Sequence, residues 1–183
     1  MSLNACVYCD CLEKGRLKKS LPRDLTIEVG GDGRPAVIKN RDRVQSSDPF
    51  WEELACEHAG HVLISHVLGD IGLLSTLRTE LKREPGEFPV LLGKVVYDGT
   101  HTGDWLNLDD IGSLKAELEK LSRFKCAGEI PGTFVARMVE GTFQFDRGAY
   151  TTAGEADARM ADFRKQMSEL VDAALAVRKP ISF

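Results

Sequence analysis

The sequence predicts an α+β fold of about four helices packed on a small, mostly antiparallel sheet, with an N-terminal β-hairpin. Three observations carry that expectation. Apolar residues recur at helical spacing in several stretches, short apolar runs are bounded by glycine or proline, and two pairs of such runs are joined by tight turns that favour antiparallel neighbours. A chain of 183 residues, 43% hydrophobic and 28% charged, has the make-up of an ordinary globular protein and the length of a single domain, 1–183. If one part is separable, it is the segment up to about residue 45, where a metal would staple the N-terminus.

The first element in order is a hairpin in "DLTIEVGGDGRPAVIKN". Leu25, Ile27 and Val29 alternate, Gly30-Gly31-Asp32-Gly33 supplies the positive φ angles of a turn, and Ala36 to Ile38 return. Asp48 then caps a helix and Pro49 fits its first turn; Phe50, Trp51, Leu54 and Ala55 lie along it, and Gly60 ends it. "HVLISHVL", between Gly60 and Gly69, reads as a buried strand. The following "DIGLLSTLRTELKRE" places Ile71, Leu74, Leu77 or Arg78, and Leu81 on one helical face and stops at Pro85-Gly86. "FPVLLGKVVYDG" suits a short helix and a strand equally, because periodicity does not separate such runs.

"LDDIGSLKAELEKLSRF" is a helix with Asp109 as its expected cap and Ile111, Leu114, Leu118 and Leu121 as its buried stripe. "GTFVARMVEGTFQFD" reads as two short strands turning near Glu140-Gly141. The last helix opens on a capping box, Thr152 with Glu155, and carries Met160, Phe163, Met167, Leu170, Val171 and Ala174 on one face, with Pro180 beyond its end. That Met and Phe stripe suits covering the sheet or pairing with a second copy as a homodimer.

Composition excludes several classes. The longest apolar stretch, "HVLISHVLGDIGLL", is cut by His66 and Asp70 and is shorter than the ~20 apolar residues of a membrane span. "MSLNACVYCD" has neither a basic n-region nor an apolar h-region, so a cytoplasmic protein is expected. The five cysteines, an odd number, then sit in a reducing compartment and are metal ligands, catalytic groups or core residues rather than a disulfide framework. Net charge is −4, yet residues 14–43 carry nine Lys or Arg against four acids. That basic stretch lacks interleaved aromatics, which argues against nucleic acid as the partner and for a solvated, charged hairpin.

Chemistry concentrates in two cysteine-bearing segments. "NACVYCDCLEKG" holds Cys6-x-x-Cys9-x-Cys11, and "ACEHAGHV" holds Cys56-x-His58 and His61. Two cysteines three apart can meet one ion across a tight turn, and a zinc site needs a second ligand pair elsewhere. On an unbroken helix Cys56 and His58 would diverge by about 200°; in an extended step both aim the same way. The expected site is a Cys₃His tetrahedron of Cys6, Cys9, Cys56 and His58, with Cys11 and His61 as substitutes. Four protein ligands make a closed, structural zinc site. The plain alternative is a packed Cys56, exposed histidines and a frayed, reduced terminus. A redox pair at Cys6 and Cys9 lacks the preceding βαβ unit and helix start that would activate a thiol.

A second crowded stretch is Tyr97 to Trp105, where His101 near Asp98 or Asp104 offers an oriented base. No nucleophile accompanies it at a recognisable spacing, and Asp-Gly with Gly-Asp is ordinary turn chemistry. "GEFPVLLGKV" is not a phosphate loop, since its spacing is too long and Val95 stands where Ser or Thr would hold magnesium. His66 and Cys126 read as a core histidine and a lone thiol.

At "CVYCDCLEKGRL", "ACEH" and "KVVYDGTHTGDWL" the chain resembles members of an uncharacterised bacterial protein family. The resemblance implies no activity; it makes the two cysteine-bearing segments better candidates for a shared role. Two functions follow as expectations. One is a zinc-stabilised cytosolic protein that acts by binding a protein or small-molecule partner. The other is a metal-dependent hydrolase with Cys56, His58 and His61 as ligands, water in the fourth position and Glu57 or Asp98 as base, although HExxH is absent.

Overall fold

The computed structural model describes residues 2–18, 27–37, 56–96, 104–125, 134–139, 142–147 and 153–183. The start of the helix expected at Asp48, the Glu140-Gly141 turn, Thr152 and Cys126 lie outside them, as do Asp98 and His101. The fold is α+β. Its described residues divide into two compact units, each assembled from several stretches of chain.

The unit that carries the cysteines comprises 4–67, 100–112 and 169–183. Its sheet has the strand order β4-β1-β8-β5, with β1 at Ser2–Tyr8, β4 at Val62–Asp70, β5 at Trp105–Leu106 and β8 at Ile181–Ser182. In β1 the side chains of Leu3, Ala5 and Val7 are buried while Ser2 and Asn4 are exposed, the period of two expected of a pleated strand with one covered face. The last residues of the chain form an inner strand. β8 runs antiparallel to both neighbours, with Ser182 opposite Cys6 and Trp105, and Ile181 opposite Leu106. Phe183 N–H extends the pairing to the Asp104 carbonyl at 2.9 Å.

The hairpin forms as β2, Ile27–Val29, and β3, Pro35–Val37, antiparallel with Glu28 opposite Ala36. Its turn closes through Gly33 N–H to the Gly30 carbonyl at 2.9 Å. Gly33 has φ +82°, and a Cβ there would stand 3.1 Å from the Pro180 ring, so both conformation and space require glycine.

The second unit comprises 1–3, 68–99 and 113–168. Helix α1, Ile71–Leu81, is capped by Asp70, whose carboxylate accepts the Leu73 N–H at 2.8 Å, and it buries Leu77 and Leu81 completely. The ambiguous segment 88–96 is helical rather than extended: a wide turn over Leu91–Val95 follows Phe88, whose ring meets Phe124 edge-on at 5.6 Å. The Glu117 carboxylate holds that turn, accepting the Val90 and Leu91 N–H groups at 2.8 Å each.

Helix α2, Leu108–Leu121, buries the predicted Ile111, Leu114, Leu118 and Leu121. Its cap is Asn107 rather than the expected Asp109, because the Asn107 side-chain oxygen takes the Asp110 N–H at 2.9 Å and Asp109 falls inside the first turn. β6, Phe134–Val139, pairs antiparallel with β7, Thr142–Arg147, as the two-strand reading expected. Helix α3, Ala153–Val177, buries all six residues of its predicted stripe. No helix among the described residues is long and apolar enough to cross a membrane.

Candidate metal centre

Strand β1 and the loop after it decide which cysteines meet. Within β1, Leu3, Ala5 and Val7 share the buried face while Cys6 falls on the other side with Asn4 and Tyr8; the strand ends at Tyr8, and Cys9, Asp10 and Cys11 are all buried in the loop that follows. Cys9 and Cys11 are buried, as is Cys56. Cys6, expected as the first ligand, is half-buried and hydrogen-bonds with Tyr8. Burial pushes the Tyr8 phenol up to about 12 and raises the Cys6 thiol.

Cys9, Cys11, Cys56 and His58 offer one ligand atom each, and all four atoms lie within 4.8 Å of one another. Cys9 Sγ is 3.5 Å from Cys56 Sγ, and His58 Nδ1 is 3.5 Å from both Cys11 Sγ and Cys56 Sγ. This buried Cys₃His cluster has the donor set and spacing to hold a metal ion. Cys11, expected as a substitute, stands where the sequence reading placed Cys6.

Local backbone geometry builds the other half of the cluster. His58 itself is extended, at φ −98° and ψ 118°, and a bend at Glu57–His58, rather than the expected extended step, brings its Nδ1 to within 3.5 Å of Cys56 Sγ. The His58 N–H also points at Cys56 Sγ, 3.4 Å away. Gly60 and His61 then take left-handed angles, φ 58° and 61°, which swing the chain from the cluster into β4. The two halves are joined by main chain as well, with Cys9 N–H donating to the His61 carbonyl at 2.8 Å. His61, the other expected substitute, is 2% exposed and sets Nδ1 3.8 Å from Cys56 Sγ and 3.9 Å from Cys9 Sγ.

The loop after Cys9 is fixed by its own polar groups. Arg16 N–H reaches the Cys11 carbonyl at 2.7 Å and Lys14 N–H the Asp10 carbonyl at 3.0 Å. Lys14 and Arg16 both ion-pair with the buried Asp10 side chain, and the Lys14 hydrogen bond leads in holding that carboxyl below its ordinary range. Glu13 pairs with Lys179, which ties this loop to the segment just before β8. Leu17 and Leu63 pack against the three thiols and keep their surroundings apolar.

Electrostatics follow from that dryness. Burial pushes the Cys9 thiol up to about 12, raises Cys11, and lowers His61. Each change favours the uncharged group. A bound cation reverses the balance for the sulfurs, because a coordinated thiol ionises against the ion's own charge.

Of the candidates Asp98, His101 and Asp104, only Asp104 lies among the described residues, and its main-chain carbonyl is engaged by Phe183. The features that sequence reasoning missed are the parity of β1 and the Asp10 clamp. The first was signalled by the alternation Leu3, Ala5, Val7; the second has no spacing signature. No family model, curated protein or solved structure matches this chain.

Proposed function

We propose that Cys9, Cys11, Cys56 and His58 bind one zinc ion as a closed structural site, in a protein that acts by binding a partner rather than by metal chemistry. The observation that carries this reading is the mutual spacing of four donors, three of them buried and His58 half-buried. Zinc–sulfur bonds of about 2.3 Å and zinc–nitrogen bonds of about 2.0 Å at tetrahedral angles separate two sulfurs by about 3.8 Å, and a sulfur from a nitrogen by about 3.5 Å. Three observed separations of 3.5 Å support that fit, and with every pair within 4.8 Å, closing the tetrahedron draws no pair in by more than about 1 Å. Three thiols and one imidazole are also the soft, mixed donor set that suits zinc over magnesium or calcium.

Four protein ligands leave no position for water, which is why the structural role is preferred to the hydrolase. The ion would join the loop that ends β1 to the segment that enters β4, two stretches separated by more than forty residues of sequence. Elemental analysis with zinc-edge X-ray absorption tests the reading. The expected result is about one zinc per chain, coordinated by three sulfurs and one nitrogen. Purified protein without metal, or a first shell containing a water oxygen, overturns it.

A further inference from the structure

Beyond the four ligands, one residue stands in an unusual relation to the cluster. His61 is almost wholly buried, adopts a left-handed backbone at φ 61°, and addresses Cys9 twice. Its carbonyl accepts the Cys9 N–H at 2.8 Å, and its ring nitrogen Nδ1 lies 3.9 Å from Cys9 Sγ and 3.8 Å from Cys56 Sγ. A histidine pays for left-handed angles that glycine adopts freely, and such a conformation persists where surrounding contacts demand it. Here those contacts run to the two sulfurs and to the main chain of one of them.

We propose that His61 is a positioning residue of the metal centre: its Nδ1–H donates to the metal-bound thiolates of Cys9 and Cys56 from outside the coordination sphere. The proposal rests on the zinc reading above. Three thiolates around one divalent cation leave an excess negative charge in an apolar pocket, and a buried charge needs compensation. A donor set between two of the sulfurs draws off part of that charge. It thereby strengthens metal retention and makes the sulfurs weaker nucleophiles. Outer partners of metal ligands work in this way, and losing one costs on the order of 10–100-fold in affinity.

The choice of variants separates the ring from the backbone. His61→Gly relieves the left-handed angles but removes the donor. His61→Asn keeps both, because asparagine tolerates those angles and its side-chain amide nitrogen occupies nearly the place of Nδ1. Zinc affinity, measured by competition with a chromophoric chelator, should fall on the order of 10–100-fold for His61→Gly and recover most of that loss in His61→Asn. Zinc release by hydrogen peroxide should quicken in His61→Gly in the same order. In the cadmium-113 form of the unaltered protein, the Nδ1 proton should show scalar coupling to cadmium through sulfur, a signal that mere packing cannot produce.

If His61→Gly binds zinc as tightly as His61→Asn, or the coupling is absent, the proposal is overturned while the metal site stands. Direct cadmium coupling to an unprotonated Nδ1 would make His61 a ligand and overturns it also. An unaltered protein that takes up no metal overturns the site and the proposal together.

Discussion

Two irregular segments of this protein are held by buried polar side chains, and they are held in opposite ways. The turn over Leu91–Val95 is completed from within: the Glu117 carboxylate, 4% exposed, places its two oxygens on the Val90 and Leu91 N–H groups at 2.8 Å each. The cysteine loop and the segment from Cys56 to His61 meet through three thiols and two imidazoles whose mutual contacts are long and weak, 3.5 to 3.9 Å. Strong acceptors matched to strong donors make a self-sufficient clamp. Thiols crowded without such donors make a clamp that a cation could complete. The first region therefore owes its order to the chain alone, and the second is expected to depend on what the chain binds.

Removing the centre of the metal cluster should have the largest effect. Cys56 Sγ is within 3.5 Å of both Cys9 Sγ and His58 Nδ1, so Cys56→Ser withdraws the ligand that touches both sides. We expect zinc content to fall from about one equivalent to near zero, with a loss of about 3 kcal/mol or more in stability; structural zinc supplies ~10–16 kcal/mol to zinc-finger peptides, which sets the ceiling. The same thermal melts repeated with chelator should lower the unaltered protein and leave Cys56→Ser where it was. A chelator-sensitive Cys56→Ser would break the contrast between the two regions.

Glu117→Ala should cost less, about 2–4 kcal/mol, since two backbone donors lose their acceptor. Chelator should not change that cost in urea unfolding. Glu117→Gln keeps one acceptor and should lose about half as much. Burial raises the Glu117 carboxyl above its ordinary range, outweighing the two N–H groups that favour the charge. A raised carboxyl contributes stability that is complete below the unfolded value of about 4.3 and declines as pH rises through the folded value. The stability gap between the unaltered protein and Glu117→Gln should therefore narrow as pH rises above about 4.3. A gap that widens over that range would reverse the assignment.

The smallest effect is expected at Cys6. Its thiol is half-buried against Tyr8, on the face of β1 opposite the buried Leu3, Ala5 and Val7. Cys6→Ser should retain the full zinc content and change stability by less than about 0.5 kcal/mol, as other surface-like substitutions do. Loss of metal in this variant would return Cys6 to the ligand set.

Much was legible without coordinates. The stripes on α2 and α3 name buried residues because a helix must cover one face, and that periodicity is local. The hairpin turn follows from the glycine-rich run, in which Gly33 takes an angle other residues resist. The pairing of "CVYCDC" with "ACEH" was also legible, as a chemical inventory: a ligand pair near the N-terminus needs a second pair, and one other segment offers cysteine and histidine together. Local reasoning failed where a segment takes its shape from a distant partner. Ser2–Tyr8 alternates but has no turn signal before it, and its strand forms beside β8 and β4 from far along the chain. Ile181–Ser182 is too short to announce itself and becomes an inner strand because neighbours on both sides supply its hydrogen bonds.

The sequence by itself therefore determined the fold class, most helices and the set of candidate donors, because those depend on spacing and residue chemistry. Tertiary structure alone decided which cysteine turns inward. Once β1 is a strand in a sheet, its period of two turns Cys6 away from the face that buries Leu3, Ala5 and Val7. The strand ends at Tyr8, and the turn that follows, closed by Arg16 N–H on the Cys11 carbonyl and by the ion pairs of Asp10, brings Cys11 to the side of Cys9.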